Sequence, residues 1–381
     1  MQRMKVYFDN AASAPMRDES IAAMLRILRE CYGNPSSKHQ QGRAAAAELK
    51  SARESIAAAL NTDPAEIYFT SGGTEANNLA IMGCAEQLVH KGRHIITSSI
   101  EHEAVSKPIE KLKQSGWEVT YLASDKSGVI SAKVFNAELR EDTVLASIML
   151  VNNETGAINP IASYASEIKR RGLSTILHTD AVQALCKIPF TADSLGADLL
   201  TVSAHKLHGP KGAGALYIRS GVKLKPVLLG GGQEKGLRSG TEAIPSIAGL
   251  GEAVRLGMSE LTQNEAIARD IREYISKRIG EELPNAVVIG SDGSPFILSL
   301  SLPGFKSEVM MNYLDSEGIS VSNGAACKRG ARSHVLRAMQ LKPETIDGAL
   351  RLSFSRYNTR KEADYFVDKL VYASKTLLKP L

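Results

Sequence analysis

At 381 residues, with 43% hydrophobic and 23% charged residues and a formal net charge of +5, the chain has an ordinary folded composition that argues against disordered and fibrous classes. Its lysines and arginines are scattered rather than run together, which argues against direct nucleic-acid binding. No apolar run approaches bilayer length and MQRMKVYFDNAASAP lacks a signal-peptide core, so the expectation is a cytoplasmic protein without membrane contact.

In chain order, ESIAAMLRILREC and GRAAAAELKSARESIAAALN carry apolar residues at three- and four-residue steps and predict amphipathic helices. The β-rich runs EIYFT, HIITSS, VTYLA, VLASIMLV, STILHTD, LLTVSAH and GALYIR follow at intervals, separated by helical or turn segments. That alternation predicts an α/β fold, a mostly parallel sheet of seven strands with helices on both faces. From about residue 257 the pattern changes to a long charged helix, NEAIARDIREYISKRIGEEL, followed by AVVIG and FILSLSL, and closes with SEVMMNYLDSEG and ALRLSFS. This mixed order predicts a second, smaller α+β domain.

Cys31, Cys84, Cys186 and Cys327 lie far apart with no CxxC pair, which argues against a zinc site or a disulfide framework. Only Cys327, between NGAA and KRGAR, has both glycines and cations nearby. The cations Lys328 and Arg329 lower a neighbouring thiol's pKa if they face it and are bystanders if solvated.

Several strand ends carry chemistry. Lys206 lies between the strand LLTVS and a Pro/Gly-rich turn, where a partly desolvated amine can form a Schiff base; the residue read alone fits a solvated loop lysine better. Asp180 directly follows an apolar strand, at the edge where open α/β sheets bind ligands. It suits either a cationic ring nitrogen or a helix N-cap. Gln183, three residues on, is placed to reach a neighbouring ring oxygen. FTSGGTEANNLAI is strand, small-residue turn, helix, which aims free amides at an anion, with Gly73 and Thr74 as phosphate ligands. His102 of SSIEHEAV and Asn153 of VNNETG also end strands, the first suited to stacking on a flat ring and the second to donating to its oxygen. Solvated or turn-forming roles account for either residue alone.

Together, FDNAAS, YGNPSS, FTSGGTEANNLAI, HIITSSIEHEAV, VNNETG, HTDAVQ, SAHKLHGPKGAGALY, RSGTEAIPSIAGLGEA and NGAAC resemble the NifS/IscS-type cysteine desulfurases, which are fold-type-I pyridoxal-phosphate enzymes. The resemblance runs over nearly the whole chain. It implies a large cofactor-binding domain over 13–256 and a small domain formed by 1–12 and 257–381 that carries the catalytic cysteine. It implies pyridoxal 5'-phosphate bound covalently at Lys206, with Asp180 on the pyridine nitrogen, Gln183 and Asn153 on the phenolate oxygen and His102 stacked on the ring as a proton relay. Thr74, Ser203 and His205 are implied phosphate ligands, joined by Thr241 from the partner subunit of a homodimer with shared sites. Arg351 of LRLSF, assisted by Asn34 of GNPS, is implied to fork onto the carboxylate of L-cysteine. Cys327 is implied to take the sulfur as a persulfide and pass it to an acceptor protein.

Two departures from the IscS-like pattern bear on the acceptor. KRGARSH, after Cys327, is about two residues shorter, and the chain ends at KTLLKPL without the tail that engages an iron–sulfur scaffold. Both leave a dedicated acceptor for tRNA, cofactor or DNA sulfur modification open beside iron–sulfur assembly. The alternative activities are a selenocysteine lyase or an aminotransferase, which keep Lys206 and Asp180 but do not depend on Cys327.

Overall fold

The β-rich runs before residue 220 all become strands of one sheet in the computed structural model, which describes residues 4–290, 293–323 and 332–377. After a two-residue strand β1 (Val6–Tyr7), these are β2 (Ile67–Thr70), β3 (His94–Ser98), β4 (Glu118–Leu122), β5 (Thr143–Ser147), β6 (Ile176–Asp180), β7 (Leu199–Ser203) and β8 (Gly214–Ile218). Their order is β2-β8-β7-β6-β5-β3-β4. β8 runs antiparallel to both neighbours, and the remaining pairs are parallel. Every residue of β3, β5, β7 and β8 is buried, as expected of strands covered on both faces. The run VLASIMLV leaves the regular ladder after Ser147. Its backbone still follows β6, with Ile148 N donating to His178 O at 3.1 Å and Leu150 N to Asp180 O at 3.0 Å.

The alanine-rich helix Gln40–Leu60 packs with Asp18–Glu30 against Ile244–Ser259. Alanine and glycine allow that approach: a Cβ on Gly251 would lie 2.7 Å from Ala52 Cα. Asn61 ends the long helix in a left-handed conformation at φ 53°, one that Asn tolerates well among non-glycine residues.

A second sheet of order β12-β10-β9 follows, built from β9 (Val287–Ile289), β10 (Ile297–Ser301) and β12 (Ala349–Ser353), while β11 (Ile319–Ser320) pairs in parallel with β1. The helices Leu261–Glu282 and Arg360–Thr376 pack together beside it. Phe8 meets Phe354 and Phe366 edge-on at centroid distances of 5.3 and 5.9 Å, so this residue, with Val6 of β1, is buried in the core of the C-terminal part while Tyr7 between them faces out. Among the described residues no helix is long and apolar enough to cross a membrane, and no group of His, Cys, Asp or Glu could hold a metal ion.

Candidate active site

The parallel direction of β2, β3, β5, β6 and β7 brings their carboxyl ends to one edge, where such sheets bind ligands. A cavity of about 580 Å³ opens there, lined by Gly73, Thr74, His102, Asn153, Asp180, Gln183, Ser203, His205, Lys206 and Arg351 among others. Those ten sequence-predicted residues therefore meet in one place.

Lys206 closes a single 3-10 turn, Ala204–Lys206, directly after β7. Its Nζ donates to the carbonyls of Ala11 and Ala12, both at 2.7 Å. Burial pushes the amine down to about 8, the Arg351 cation adds to this, and Asp180 and Asp9 oppose it. Asp180 ends β6 and is buried. Its Oδ1 accepts from Val182 N at 2.9 Å within the turn that follows β6, where no helix begins and the N-cap alternative therefore does not apply, and its Oδ2 accepts from Asn77 Nδ2 at 2.7 Å. Both partners are neutral, so the carboxylate keeps a place for a cation.

His102 caps the helix Glu103–Gln114 by accepting from Ala104 N at Nδ1, 3.1 Å. The neutral ring therefore carries its proton on Nε2, and burial holds its pKa below the ordinary value. Gln183 donates from Nε2 to Ala11 O at 2.9 Å and accepts at Oε1 from Lys187 Nζ at 2.8 Å. Arg351, on β12, is 4% exposed. Its Nη2 pairs with Asp9 at 2.7 Å and its Nη1 donates to Asn153 O at 3.1 Å. The amino end of helix Gly73–Leu88, with Thr74, Ser203 and His205, forms a cradle for an anion. Burial, reinforced by the nearby lysines, pushes His205 down to about 4. It is neutral at pH 7 and serves as a hydrogen-bond partner rather than a charge.

Asn34 and Thr241 do not line this cavity. Both are exposed; Asn34 Oδ1 accepts from Ser36 N at 2.9 Å, and Thr241 precedes the helix Ile244–Ser259. Cys327, Lys328 and Arg329 lie outside the described residues. The three described cysteines are all buried. Burial raises Cys31 and pushes Cys84 and Cys186 up to about 12, so none of the three is a ready thiolate. Sequence reasoning missed Asp9, the Ala11 and Ala12 carbonyls, Asn77 and Lys187. The FDNAAS motif pointed at the first of these without giving its residues roles, and a buried Asn on a helix face signals a polar partner.

The model of the aminotransferase class-V family matches residues 6–366, and the chain belongs to this family. Within it the chain is similar to cysteine desulfurases. Cysteine desulfurase IscS of Dictyoglomus turgidum is 41% identical over 372 residues, spanning 97% of this chain and 94% of its own. That of Methanosarcina thermophila is 41% identical over 363 residues, 94% of this chain and 89% of its own. A solved NifS-like protein superposes with a TM-score of 0.93 at 38% identity, over 98% of this chain and 100% of that one. SspA in complex with cysteine gives 0.82 at 34%, over 93% and 100%.

Enzymes of this family depend on pyridoxal phosphate, and the residues present fit that group. A buried carboxylate held by neutral donors alone suits a protonated ring nitrogen. Lys206 supplies the amine, and the anion cradle is open because position 73 is glycine: a Cβ there would stand 3.0 Å from Val182 Cγ2 and 3.5 Å from Ser203 Cβ.

Proposed function

We propose that this chain is an L-cysteine desulfurase that leaves the substrate sulfur on Cys327 as a persulfide. The observation that carries the reading is the meeting of Lys206, Asp180, His102 and Arg351 in one cavity, in a chain whose relatives are cysteine desulfurases. SspA, which shares this fold, is a structure with cysteine bound, in keeping with cysteine as the substrate.

Lys206 would hold the cofactor, Asp180 its ring nitrogen, Gln183 and Asn153 its ring oxygen, and Gly73, Thr74, Ser203 and His205 its phosphate. Pyridoxal phosphate supplies an aldehyde for the substrate amine and a ring that withdraws electrons from the substrate carbons. Arg351 receives the cysteine carboxylate, with Asn34 as the expected assistant. Lys206, uncharged in part because burial depresses its pKa, takes the Cα proton at Nζ and returns it. His102 exchanges a proton at Nε2. The Cys327 thiolate then attacks the substrate sulfur: an S–S bond forms, the Cβ–S bond breaks, and its electron pair takes up a proton. The balance is L-cysteine plus the Cys327 thiol giving L-alanine plus the Cys327 persulfide.

The same reading takes 13–256 as the cofactor-binding domain, with 1–12 and 257–381 as the domain carrying Cys327. Thr241, exposed and away from its own cavity, completes the phosphate site of a second copy, so the working unit is a cytoplasmic homodimer. The persulfide goes to an acceptor protein in iron–sulfur assembly or in tRNA, cofactor or DNA sulfur modification.

The test is Cys327→Ser. With L-cysteine the wild type should release alanine and gain 32 Da (one sulfur atom, about) on the Cys327 peptide, while the variant should retain cofactor but do neither. Full alanine release by Cys327→Ser would move the chain to the lyase class.

A further inference from the structure

The arginine that receives the substrate carboxylate already holds a carboxylate of the chain itself. Arg351 Nη2 pairs with Asp9 Oδ1 at 2.7 Å and Nη1 donates to Asn153 O at 3.1 Å, while the buried Nε has no partner among the described residues. Nε and Nη2 lie side by side on the guanidinium and make one of its forks for a carboxylate. Asp9 takes one prong of that fork and leaves the other open. A free carboxylate bonding both Nε and Nη2 makes two charged hydrogen bonds where Asp9 makes one.

Asp9 is also placed to give way. It lines the cavity beside Arg351, and its side chain is 22% exposed against 5% for the arginine. Two other arginines of this chain, Arg53 and Arg238, are held by Glu234 and Glu75, and each of those carboxylates is fastened in turn by a backbone N–H, from Phe69 and Ser71, both at 2.9 Å. The Asp9 carboxylate has no such fastening: among the described residues its one donor is Arg351. Its backbone, by contrast, is fixed, bridging Ser353 and accepting from Ala12 N at 3.0 Å and Ser13 N at 3.3 Å. A change of side-chain rotamer therefore frees Nη2 without moving the main chain. A buried guanidinium with no counter-charge is strongly disfavoured, and Asp9 supplies that charge for as long as no other anion does.

We infer that Asp9 is an internal competitor for the substrate carboxylate: it occupies Arg351 in the empty site, is displaced when an amino acid binds, and returns as the product leaves. It sets the affinity of the site rather than supporting the arginine. The inference rests on the reading of Arg351 as the carboxylate site. Alanine, the product of the proposed reaction, carries the same carboxylate as cysteine, so the return of Asp9 favours its release.

The test uses the cofactor-loaded protein and two probes, L-alanine and L-alaninamide, the second lacking the carboxylate. Binding of each is followed by the change in the cofactor's visible absorbance in the wild type, Asp9→Asn, Asp9→Ala and Arg351→Met. Asp9→Asn removes the competing charge and keeps a neutral oxygen that can accept from Nη2; Asp9→Ala removes both and carries the test if Asp9→Asn fails to fold. Without the competitor, the preference for L-alanine over L-alaninamide should rise about tenfold or more. A supporting role predicts the opposite, a preference that falls because the arginine is no longer held. An unchanged or lowered preference in the folded variant overturns the proposal. Arg351→Met checks the reading beneath it and should erase the preference. If the preference survives Arg351→Met, that reading fails and the proposal with it; if Arg351→Met erases it and Asp9→Asn does not raise it, the proposal alone fails. Neither probe carries sulfur and Cys327 is not used, so a chain that releases no alanine from cysteine still decides the role of Asp9.

Discussion

Arg351 is the residue where charge and geometry can be separated. Its guanidinium is buried on β12, spends Nη2 on Asp9 and Nη1 on Asn153 O, and leaves Nε without a partner among the described residues. A hydrogen bond to a charged group contributes about 1.5–3 kcal/mol, so a two-pronged fork on the substrate carboxylate is worth about 3–6 kcal/mol. Arg351→Met should therefore lower kcat/KM for L-cysteine by about 10²–10⁴. Arg351→Lys keeps the cation and loses one prong, for a fall of about thirtyfold. The titration of Lys206 should split differently. Arg351 is the second-largest cause of its low pKa, after burial. Arg351→Met should raise the midpoint above about 8, while Arg351→Lys should leave it near the wild-type value. Alanine-release kinetics and the pH dependence of Lys206 acetylation read the two effects separately. An Arg351→Lys enzyme with wild-type kcat/KM would refute the fork, and an Arg351→Met protein with an unmoved Lys206 midpoint would refute the charge coupling.

Gly73→Ala places a methyl at 3.0 Å from Val182 Cγ2, on the wall of the anion cradle. Cofactor retention through gel filtration should drop while the thermal midpoint of the cofactor-free chain changes by less than about 2 °C, and tight retention would show that the phosphate sits elsewhere. His178 is buried with Nδ1 2.8 Å from Ser147 Oγ and Nε2 3.1 Å from Thr201 Oγ1, and burial alone pushes it down to about 3. Because its folded pKa lies below the unfolded value, the unfolded chain takes the proton first, and stability falls as pH drops from about 6.5 towards 3. His178→Gln should flatten that fall by up to about 1.4 kcal/mol per pH unit in urea titrations, and an unaltered slope would sink the assignment.

The parts of the site legible in the sequence are those where one short segment carries both the structure and the chemistry. LLTVSAHK places Lys206 one turn past β7, and FTSGG places Gly73 at the start of a helix, because a buried strand, a small-residue turn and a polar end are local patterns. The antiparallel course of β8 was not legible. GALYI reads as any buried strand, and its direction is set by the short turn from Lys206 to Ala213. The partners of the catalytic groups were also hidden. Asn77 reaches Asp180 across 103 residues and Ala11 reaches Lys206 across 195, distances that only tertiary packing closes.

Residues 9–12 explain how two sheets make one site. On one side this segment is tied to β12: Asp9 bridges Ser353 along the backbone, Asn10 Nδ2 donates to Ser353 O at 2.8 Å, and Ala11 N donates to Ser353 Oγ at 2.8 Å. On the other side the carbonyls of Ala11 and Ala12 hold the Lys206 amine, and Asp9 holds Arg351. Small residues at 11 and 12 let the backbone itself, rather than a side chain, meet the amine. Asp9 and a substrate carboxylate compete for the same guanidinium, and Asp9 is also one of the anions that favour the charged form of Lys206. One short segment, bonded to β12, thus sets both the guanidinium of Arg351 through Asp9 and the amine of Lys206 through the carbonyls two and three residues further on.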